Sequence, residues 1–239
     1  MGHFLRIVLA LLIVSIQPTL HAETPPGADL AAYPDPERFE KWIAGFLEAD
    51  LKSPPESGGI VAVGSSSMRG WHKTILQDLA PLSIIPRGFG GSNMNDVLYF
   101  VDGLVNKHKP RAVLLYEGDN DVAGGIAPET ILDTFRQLQQ KIHRELPETR
   151  IYMLAVKPSI ARWQMWPTMQ RVNRLLKSAC EKDDKLTFID IASPMLNEQG
   201  FPKAEIFVED MLHMNDKGYR LWKDAVKPIL VEAELGHEK

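Results

Sequence analysis

The sequence has a single cysteine, Cys180, among its 239 residues. A disulfide within the chain and a cysteine-based structural zinc site are therefore both excluded. Neither sign of charge dominates, because 27 Lys and Arg stand against 31 Asp and Glu, for a formal net charge of -4. With no overall positive charge to attract phosphates, nucleic acid is not an expected partner.

Sequence motifs for nucleotides and metals are also missing. The glycines of Arg87–Asn93 lack the G-x-G-x-x-G spacing, and no P-loop lysine follows them. The run Asp119–Asp121 lacks the remainder of a calcium-binding loop. No H-E-x-x-H motif occurs, and four of the seven histidines are scattered along the chain without a metal-ligand spacing: His72, His108, His143 and His237. We therefore expect neither a metal nor a cofactor.

One long apolar run, Ile7 to Ile16, lies near the N-terminus, and it is shorter than the roughly 20 apolar residues that span a bilayer. Arg6 precedes it, and Ala22 offers a cleavage point, which is the layout of a secretory signal peptide over residues 1–22. Leu20 is larger than the usual residue at its place, which leaves an uncleaved anchor open. We expect export to a bacterial periplasm, with no stable membrane span after cleavage.

Residues 23–58 are predicted to form a proline-rich lead-in followed by an N-terminal amphipathic helix. The helix is expected to open at Pro36. Its apolar residues recur at helical spacing and are expected to pack on the main domain: Phe39, Trp42, Ile43, Phe46 and Leu47. Paired prolines and glycines over Ser53–Gly59 end this unit, so we place the main domain at residues 59–239.

The main domain alternates short apolar runs with longer amphipathic segments. The runs predict strands that are buried on both faces: Ile60–Val63, Ser83–Ile85, Ala112–Tyr116, Ile151–Val156 and Leu186–Ile189. The clearest helix is expected over Pro128–Leu146. This alternation predicts an α/β fold with a parallel sheet between two helix layers, and ligands in such folds bind beyond the carboxyl ends of the strands.

Four segments at these strand ends carry chemically useful residues: Gly64–Met68, Arg87–Asn93, Glu117–Asp121 and Glu209–Asn215. They contain serines at a strand-to-helix turn, a glycine-rich loop, a side-chain amide, and a carboxylate three residues before an imidazole. Each feature alone has a common structural explanation, such as a helix N-cap, a tight loop or a surface salt bridge. Together they form a set suited to acyl transfer through a serine nucleophile.

These segments resemble the blocks of the SGNH hydrolases, also called GDSL esterases and lipases. The resemblance runs from about Ile60 to the C-terminus and is closest to the branch like platelet-activating-factor acetylhydrolase. It implies a three-layer, flavodoxin-like fold with a five-stranded parallel sheet flanked by helices. It also implies a catalytic triad of Ser66, Asp210 and His213, and an oxyanion hole formed by the backbone N–H groups of Ser66 and Gly91 and the amide of Asn120.

The nucleophile block departs from the family pattern, because Ser65 stands where the family often has an aspartate. Three successive hydroxyls follow Gly64, so Ser65 or Ser67 remains open as the nucleophile. Arg162, Trp163 and Trp166 are candidates to line a sugar or acyl pocket, and packing of the two tryptophans on the sheet is an equal alternative.

The sequence therefore predicts an exported serine esterase acting on a small ester with an acetyl or short acyl group. The partner is expected to be a small molecule, either an acylated carbohydrate or a lipid-like ester. An acyltransferase with the same triad and a non-catalytic carbohydrate-binding protein on the same fold stay open as alternatives. The sequence does not determine the oligomeric state.

Overall fold

The computed structural model describes Met1, Gly2 and residues 32–238. The predicted signal peptide and most of the proline-rich lead-in fall on residues 3–31 and so lie outside the described part of the chain. In the described part, no helix combines the length and the apolar character needed to cross a bilayer.

Five parallel strands form one sheet in the order β2-β1-β3-β4-β5. The strands are β1 Ile60–Gly64, β2 Ile84–Gly88, β3 Ala112–Tyr116, β4 Arg150–Leu154 and β5 Leu186–Ile189. The α-helices are α1 Glu40–Lys52, α2 Ser66–Trp71, α3 Ile75–Asp78, α4 Met94–Leu104, α5 Asp119–Ala123, α6 Pro128–Glu145, α7 Trp166–Cys180 and α8 Asp216–Glu234. The predicted α/β class and parallel sheet are confirmed.

Burial of the strands follows their position in the sheet. Every residue of the inner strands β1 and β3 is buried, as their uninterrupted apolar sequences predict. The prediction of burial on both faces is wrong for β5, where Thr187 and Phe188 are only partly buried. This strand lies at the edge of the sheet, where it pairs with a single neighbouring strand, β4.

Helices cover both faces of the sheet. On one face, α4, α6 and α7 pack against one another. On the other face, α2 and α8 meet through Trp71 and Trp222, whose ring centroids lie 5.7 Å apart. Trp222 also packs on Tyr116 of β3, with the centroids 4.8 Å apart. This aromatic cluster holds α8 against the central strands and so sets where the segment that precedes α8 can lie.

The N-terminal amphipathic unit consists of a short 3-10 turn, Pro36–Phe39, followed by α1. Only Ile43 of α1 is fully buried, so the expected apolar face packs less completely than its spacing predicts. Trp42 is 38% exposed and lies beneath the guanidinium of Arg69, 4.7 Å from the ring centroid. Asp50 pairs with Arg87 of β2, which attaches the unit to the edge of the sheet.

The turn from β1 into α2 requires a glycine. Gly64 has a φ of +148°, and a Cβ at this position would lie 2.1 Å from the carbonyl oxygen of Tyr116 on the neighbouring strand. Such a contact is far inside van der Waals distance, so a side chain would push β1 and β3 apart. The glycine lets the chain leave β1 sharply and begin α2 two residues later, at Ser66.

Candidate active site

Ser66 is the first residue of α2 and stands at the carboxyl end of β1. Its Oγ lies 2.9 Å from Nε2 of His213. Ser65 is the N-cap of the helix and is 1% exposed, and Ser67 is 2% exposed. Of the three successive hydroxyls that the sequence left open, Ser66 is therefore the one placed beside the imidazole and partly accessible to a ligand.

His213 and Asp210 lie in the turn that precedes α8. Asp210 Oδ2 is 2.5 Å from Nδ1 of His213, while its Oδ1 accepts the backbone N–H groups of Leu212 and His213 at 2.9 and 2.8 Å. Both oxygens of the carboxylate are thus engaged, and the side chain is held in one orientation. The hydrogen bond from His213 lowers the pKa of Asp210 to about 2, so the carboxylate is ionised at neutral pH.

Asn120 lies in the first turn of α5, just beyond β3. Its Nδ2 donates to the carbonyl oxygen of Ser92 at 2.8 Å, and its Oδ1 accepts from Nη1 of Arg162 at 3.0 Å. These two bonds define which end of the amide carries the nitrogen, and they leave one N–H of Nδ2 for a further acceptor. Gly91, the residue before Ser92, has a φ of +87°.

A buried ion pair connects the Asn120 segment to the His213 segment. Lys157, which is fully buried, places Nζ 3.1 Å from Asp119 Oδ2 and 2.9 Å from the carbonyl oxygen of Leu212. Burial raises the pKa of Asp119, but the charges of Lys157 and Arg162 outweigh it, and the pKa lies below its ordinary value. The lysine thus joins the residue before Asn120 to the residue before His213.

Asp121 connects its own segment, Glu117–Asp121, to the start of α4, directly after the glycine-rich loop Arg87–Asn93. Its Oδ1 accepts the backbone N–H of Met94 at 3.0 Å, and its Oδ2 accepts that of Gly118 at 3.1 Å. Below the same loop, Ser92 Oγ lies 2.6 Å from Oε1 of Glu117, a carboxyl group whose pKa is raised well above its ordinary value by burial. The loop that carries Gly91 is therefore held from beneath by a polar network.

The three proposed substrate contacts are placed differently from one another. Arg162 directs its guanidinium to Asp119 and Asn120, at 2.6 and 3.0 Å. Trp166 is 8% exposed and stacks with Trp163, the ring centroids lying 6.1 Å apart. Trp163 also contacts Phe201 at 5.3 Å between centroids. The two rings thus pack on each other, and neither borders the cleft beside Ser66.

That cleft has a volume of about 740 Å³ and opens next to Ser66 and His213. It is bordered by α2, by the turn before α8 and by the start of α8. Most of the residues that line it carry a polar or charged group: Ser66, Arg69, Gly70, Lys73, Thr74, Val208, His213, Met214, Asn215, Asp216, Lys217, Tyr219 and Arg220. Neither Gly91 nor Asn120 borders it, so the cleft approaches Ser66 from the side of the imidazole.

Sequence reasoning found the four segments but missed the residues that connect them. Asp119 and Lys157 were not proposed for the site, although their buried ion pair joins two of its loops. A signal for Lys157 exists in the sequence, because a lysine directly after an apolar strand at the ligand-binding edge requires a charged partner. The cationic side chains that border the cleft left no comparable signal, since they lie on helices far apart in the chain.

Comparisons with known proteins identify the family of the chain and the structures that share its fold. A sequence model of the GDSL-like lipase/acylhydrolase family matches residues 57–221. No curated protein matches this chain. Among solved structures, a Streptococcus pneumonia protein provisionally assigned as a platelet activating factor superposes with a TM-score of 0.72 at 20% identity, covering 80% of this chain and 92% of that one.

Two further solved structures share the fold. A GDSL-like lipase from Bacteroides thetaiotaomicron superposes with a TM-score of 0.63 at 19% identity, over 83% of this chain and 98% of that one. An acetylxylan esterase from Geobacillus stearothermophilus, in a catalytic mutant form, gives a TM-score of 0.58 at 16% identity, over 74% and 94%.

A parallel α/β sheet with a serine, an imidazole and a carboxylate joined at its carboxyl edge is an arrangement suited to a serine-type hydrolase. The chain belongs to the GDSL-like lipase/acylhydrolase family. It is a hydrolase of ester bonds, and its substrates are small-molecule esters.

Proposed function

We propose that this protein is an exported serine esterase that removes an acetyl or other short acyl group through an acyl-enzyme formed on Ser66. The observation that carries the proposal is the continuous line of contacts from Ser66 Oγ to His213, at 2.9 Å, and from His213 to Asp210, at 2.5 Å. A serine hydroxyl is a weak nucleophile at neutral pH, and a base within hydrogen-bond distance is what activates it.

In the first half of the reaction, Ser66 Oγ attacks the ester carbonyl while Nε2 of His213 takes its proton. Asp210 holds the proton on Nδ1, which keeps Nε2 free to accept, and it stabilises the imidazolium that forms. The C–O bond to the alcohol then breaks, and His213 returns the proton to the leaving oxygen. The acyl group stays on Ser66, and the charge balance of the site is restored.

In the second half, His213 takes a proton from water, and the resulting hydroxide attacks the acyl-enzyme. The carboxylic acid leaves, and the proton returns to Ser66. The oxyanion in both halves is proposed to accept from Asn120 Nδ2 and from the backbone N–H groups of Ser66 and Gly91. The N–H of Ser66 suits this role because it lies in the first turn of α2, where no helical acceptor is available.

Replacing Asn120 by alanine is expected to lower kcat by about 10²–10³-fold, the usual cost of one lost oxyanion donor, while KM changes little. Steady-state hydrolysis of 4-nitrophenyl acetate gives both values. Asn95→Ala, which removes a partly buried amide in α4, is the matched control and should retain activity. A fall of less than about threefold in the Asn120 variant would remove this residue from the oxyanion hole.

A short acyl group is proposed because one of the solved structures that share the fold is an acetyl esterase mutant with an acetate ion. The named activity of the Geobacillus stearothermophilus neighbour, an acetylxylan esterase, is consistent with this size of acyl group. Export rests on the signal-peptide pattern of residues 1–22, and the N-terminal sequence of protein recovered from the periplasm tests it.

A series of 4-nitrophenyl esters from acetate to palmitate tests the acyl length. We expect kcat/KM to be highest for acetate or butyrate and to fall by at least about tenfold by octanoate, the discrimination expected of a site that fits a small acyl group when several methylenes are added. A maximum at octanoate or longer would contradict the short-chain proposal. Product analysis with sugar alcohols present separates hydrolysis from acyl transfer, because transfer gives a new ester in place of free acid.

A further inference from the structure

The cleft beside Ser66 carries a concentration of positive charge. Four of its lining side chains are cationic, and they are opposed by the single carboxylate of Asp216: Arg69, Lys73, Lys217 and Arg220. The whole chain has a formal net charge of -4, so the composition alone does not produce this excess. The positive charge is therefore a local property of the surface next to the proposed nucleophile.

These cations come from two parts of the chain that the fold brings together, one formed by α2 and the turn after it, the other by the start of α8. Arg69 lies on α2, three residues after Ser66, and Lys73 lies in the turn that follows this helix. The other two cations lie three residues apart in the first turns of α8. The hydroxyl of Tyr219 donates to the carbonyl oxygen of Ser67 at 3.0 Å, which ties α8 to α2 across the floor of the cleft.

Arg69 stands next to the nucleophile. The point where a Cβ on Gly90 would lie is 3.1 Å from Nη1 of Arg69 and 3.9 Å from Cβ of Ser66. The guanidinium is also held over the ring of Trp42, 4.7 Å from its centroid. A cation stacked on an aromatic face in this way is kept in one position while its N–H groups stay available.

Within residues 32–238, none of the four cations has a carboxylate within 4.0 Å. By contrast, the guanidinium groups of Arg87, Arg111 and Arg150 each form a salt bridge with an acidic side chain. All four cleft cations are exposed. Their charge is thus available to a ligand that enters the cleft.

The position of the cleft indicates which part of an ester would meet these charges. Of the proposed catalytic groups, Ser66 and His213 border the cleft, whereas Gly91 and Asn120 do not. His213 protonates the leaving oxygen in the proposed mechanism, so the alcohol part of the substrate lies on the same side of Ser66 as His213. The cleft therefore receives the alcohol part, while the acyl oxygen faces Asn120.

We propose that this cleft is a subsite for an anionic alcohol, and that the preferred substrates are short-chain esters whose alcohol part carries a carboxylate or a phosphate. The proposal rests on the proposed esterase function and names the class of substrate. In these substrates the alcohol part carries the negative charge, and the acyl group is small and neutral.

Matched ester pairs test the preference. The carboxylate arm compares 4-acetoxybenzoate with neutral 4-acetoxybenzamide, and the phosphate arm compares 1-acetylglycerol 3-phosphate with 1-acetylglycerol. We expect kcat/KM to favour the anionic member by about tenfold or more at low ionic strength in at least one arm, which also identifies the anion. The preference should decline at about 0.3 M salt, where screening shortens to a few ångströms. If the anionic and neutral members have equal kcat/KM in both arms, or if the neutral members are hydrolysed faster, the proposal is overturned.

Charge-neutralising variants then locate the subsite. Lys73→Gln and Arg220→Gln change exposed side chains, and each is expected to reduce the anionic preference by about threefold. Lys182→Gln removes an exposed lysine between α7 and β5, at the opposite edge of the sheet, and should keep the preference of the wild type. A preference that survives the double variant Lys73→Gln/Arg220→Gln would contradict this placement of the subsite.

The two proposals fail in different ways. If the wild type hydrolyses the neutral acetates and Ser66→Ala does not, the esterase proposal holds whatever the ratio within each pair. The anionic subsite is then judged by that ratio alone. If Ser66→Ala hydrolyses both members of a pair as fast as the wild type, the proposed function itself is wrong.

Discussion

Replacement of Ser66 by alanine is expected to lower kcat for 4-nitrophenyl acetate by about 10⁴–10⁶-fold, the range observed when the nucleophile of a serine triad is removed. Among the described residues, the Ser66 hydroxyl is the one nucleophile within hydrogen-bond distance of His213 Nε2, at 2.9 Å. Without it, the oxyanion donors remain, and they sustain only a slow attack by water. Steady-state kinetics on folded protein, with the fold checked by circular dichroism, give the value.

Ser67→Ala is the matched control for this variant, because it removes a neighbouring hydroxyl that is 2% exposed. It should stay within about tenfold of the wild-type kcat, since the Ser67 hydroxyl is not a member of the proposed triad. The reverse result, with Ser67→Ala inactive and Ser66→Ala active, would move the nucleophile one residue along α2 and contradict the geometry at His213.

Asp210→Asn is expected to lower kcat by about 10³–10⁴-fold, although it only replaces one carboxylate oxygen by an NH₂ group. The reason lies in the two backbone bonds that Oδ1 accepts from Leu212 and His213. An asparagine would keep its oxygen on these N–H groups and turn its NH₂ toward Nδ1 of His213. The imidazole would then carry its proton on Nε2, facing Ser66, and could not accept the hydroxyl proton.

Glu209→Gln is the control for Asp210→Asn, because it neutralises the adjacent exposed acid and leaves the contact to His213 intact. It should retain the activity of the wild type. If Asp210→Asn and Glu209→Gln lost activity equally and by less than about tenfold, the effect would be one of local charge, and the proposed orienting role of Asp210 would be wrong.

Much of the fold could be predicted because its signals are local. The apolar runs that predicted Ala112–Tyr116 and Leu186–Ile189 match β3 and β5 residue for residue. All five strands run parallel, and this shared direction brings their carboxyl ends to one edge of the sheet. The departures lie where tertiary cover decides burial, at the edge strand β5 and on α1, where Trp42 is left partly exposed.

The candidate site could be predicted only in part. Asp210 and His213 lie three residues apart, so their contact is local and visible in the sequence. The choice of Ser66 among three serines depends on where α8 holds His213, a position 147 residues away in the chain. Arg162 was expected at a pocket wall, but it holds the Asn120 amide, because burial of Asp119 next to it demands cationic partners.

The positive cleft could not be predicted from the composition or from any motif. Its cations lie on α2, in the turn after α2 and on α8, at opposite ends of the main domain in sequence, and they meet because Trp71 and Trp222 pack together over the sheet. A pattern of charge that depends on a contact between distant helices has no local signature. The net charge of -4 concealed it, since Asp216 is the one acidic residue among those that line the cleft.

The central claim is that Ser66 is the residue that becomes acylated. Its most direct test is to treat the folded protein with a serine-directed fluorophosphonate, digest it, and locate the adduct by peptide mass spectrometry. The account predicts one adduct per chain, on Ser66, and no adduct in Ser66→Ala. An adduct on another serine, or full labelling of Ser66→Ala, would contradict it.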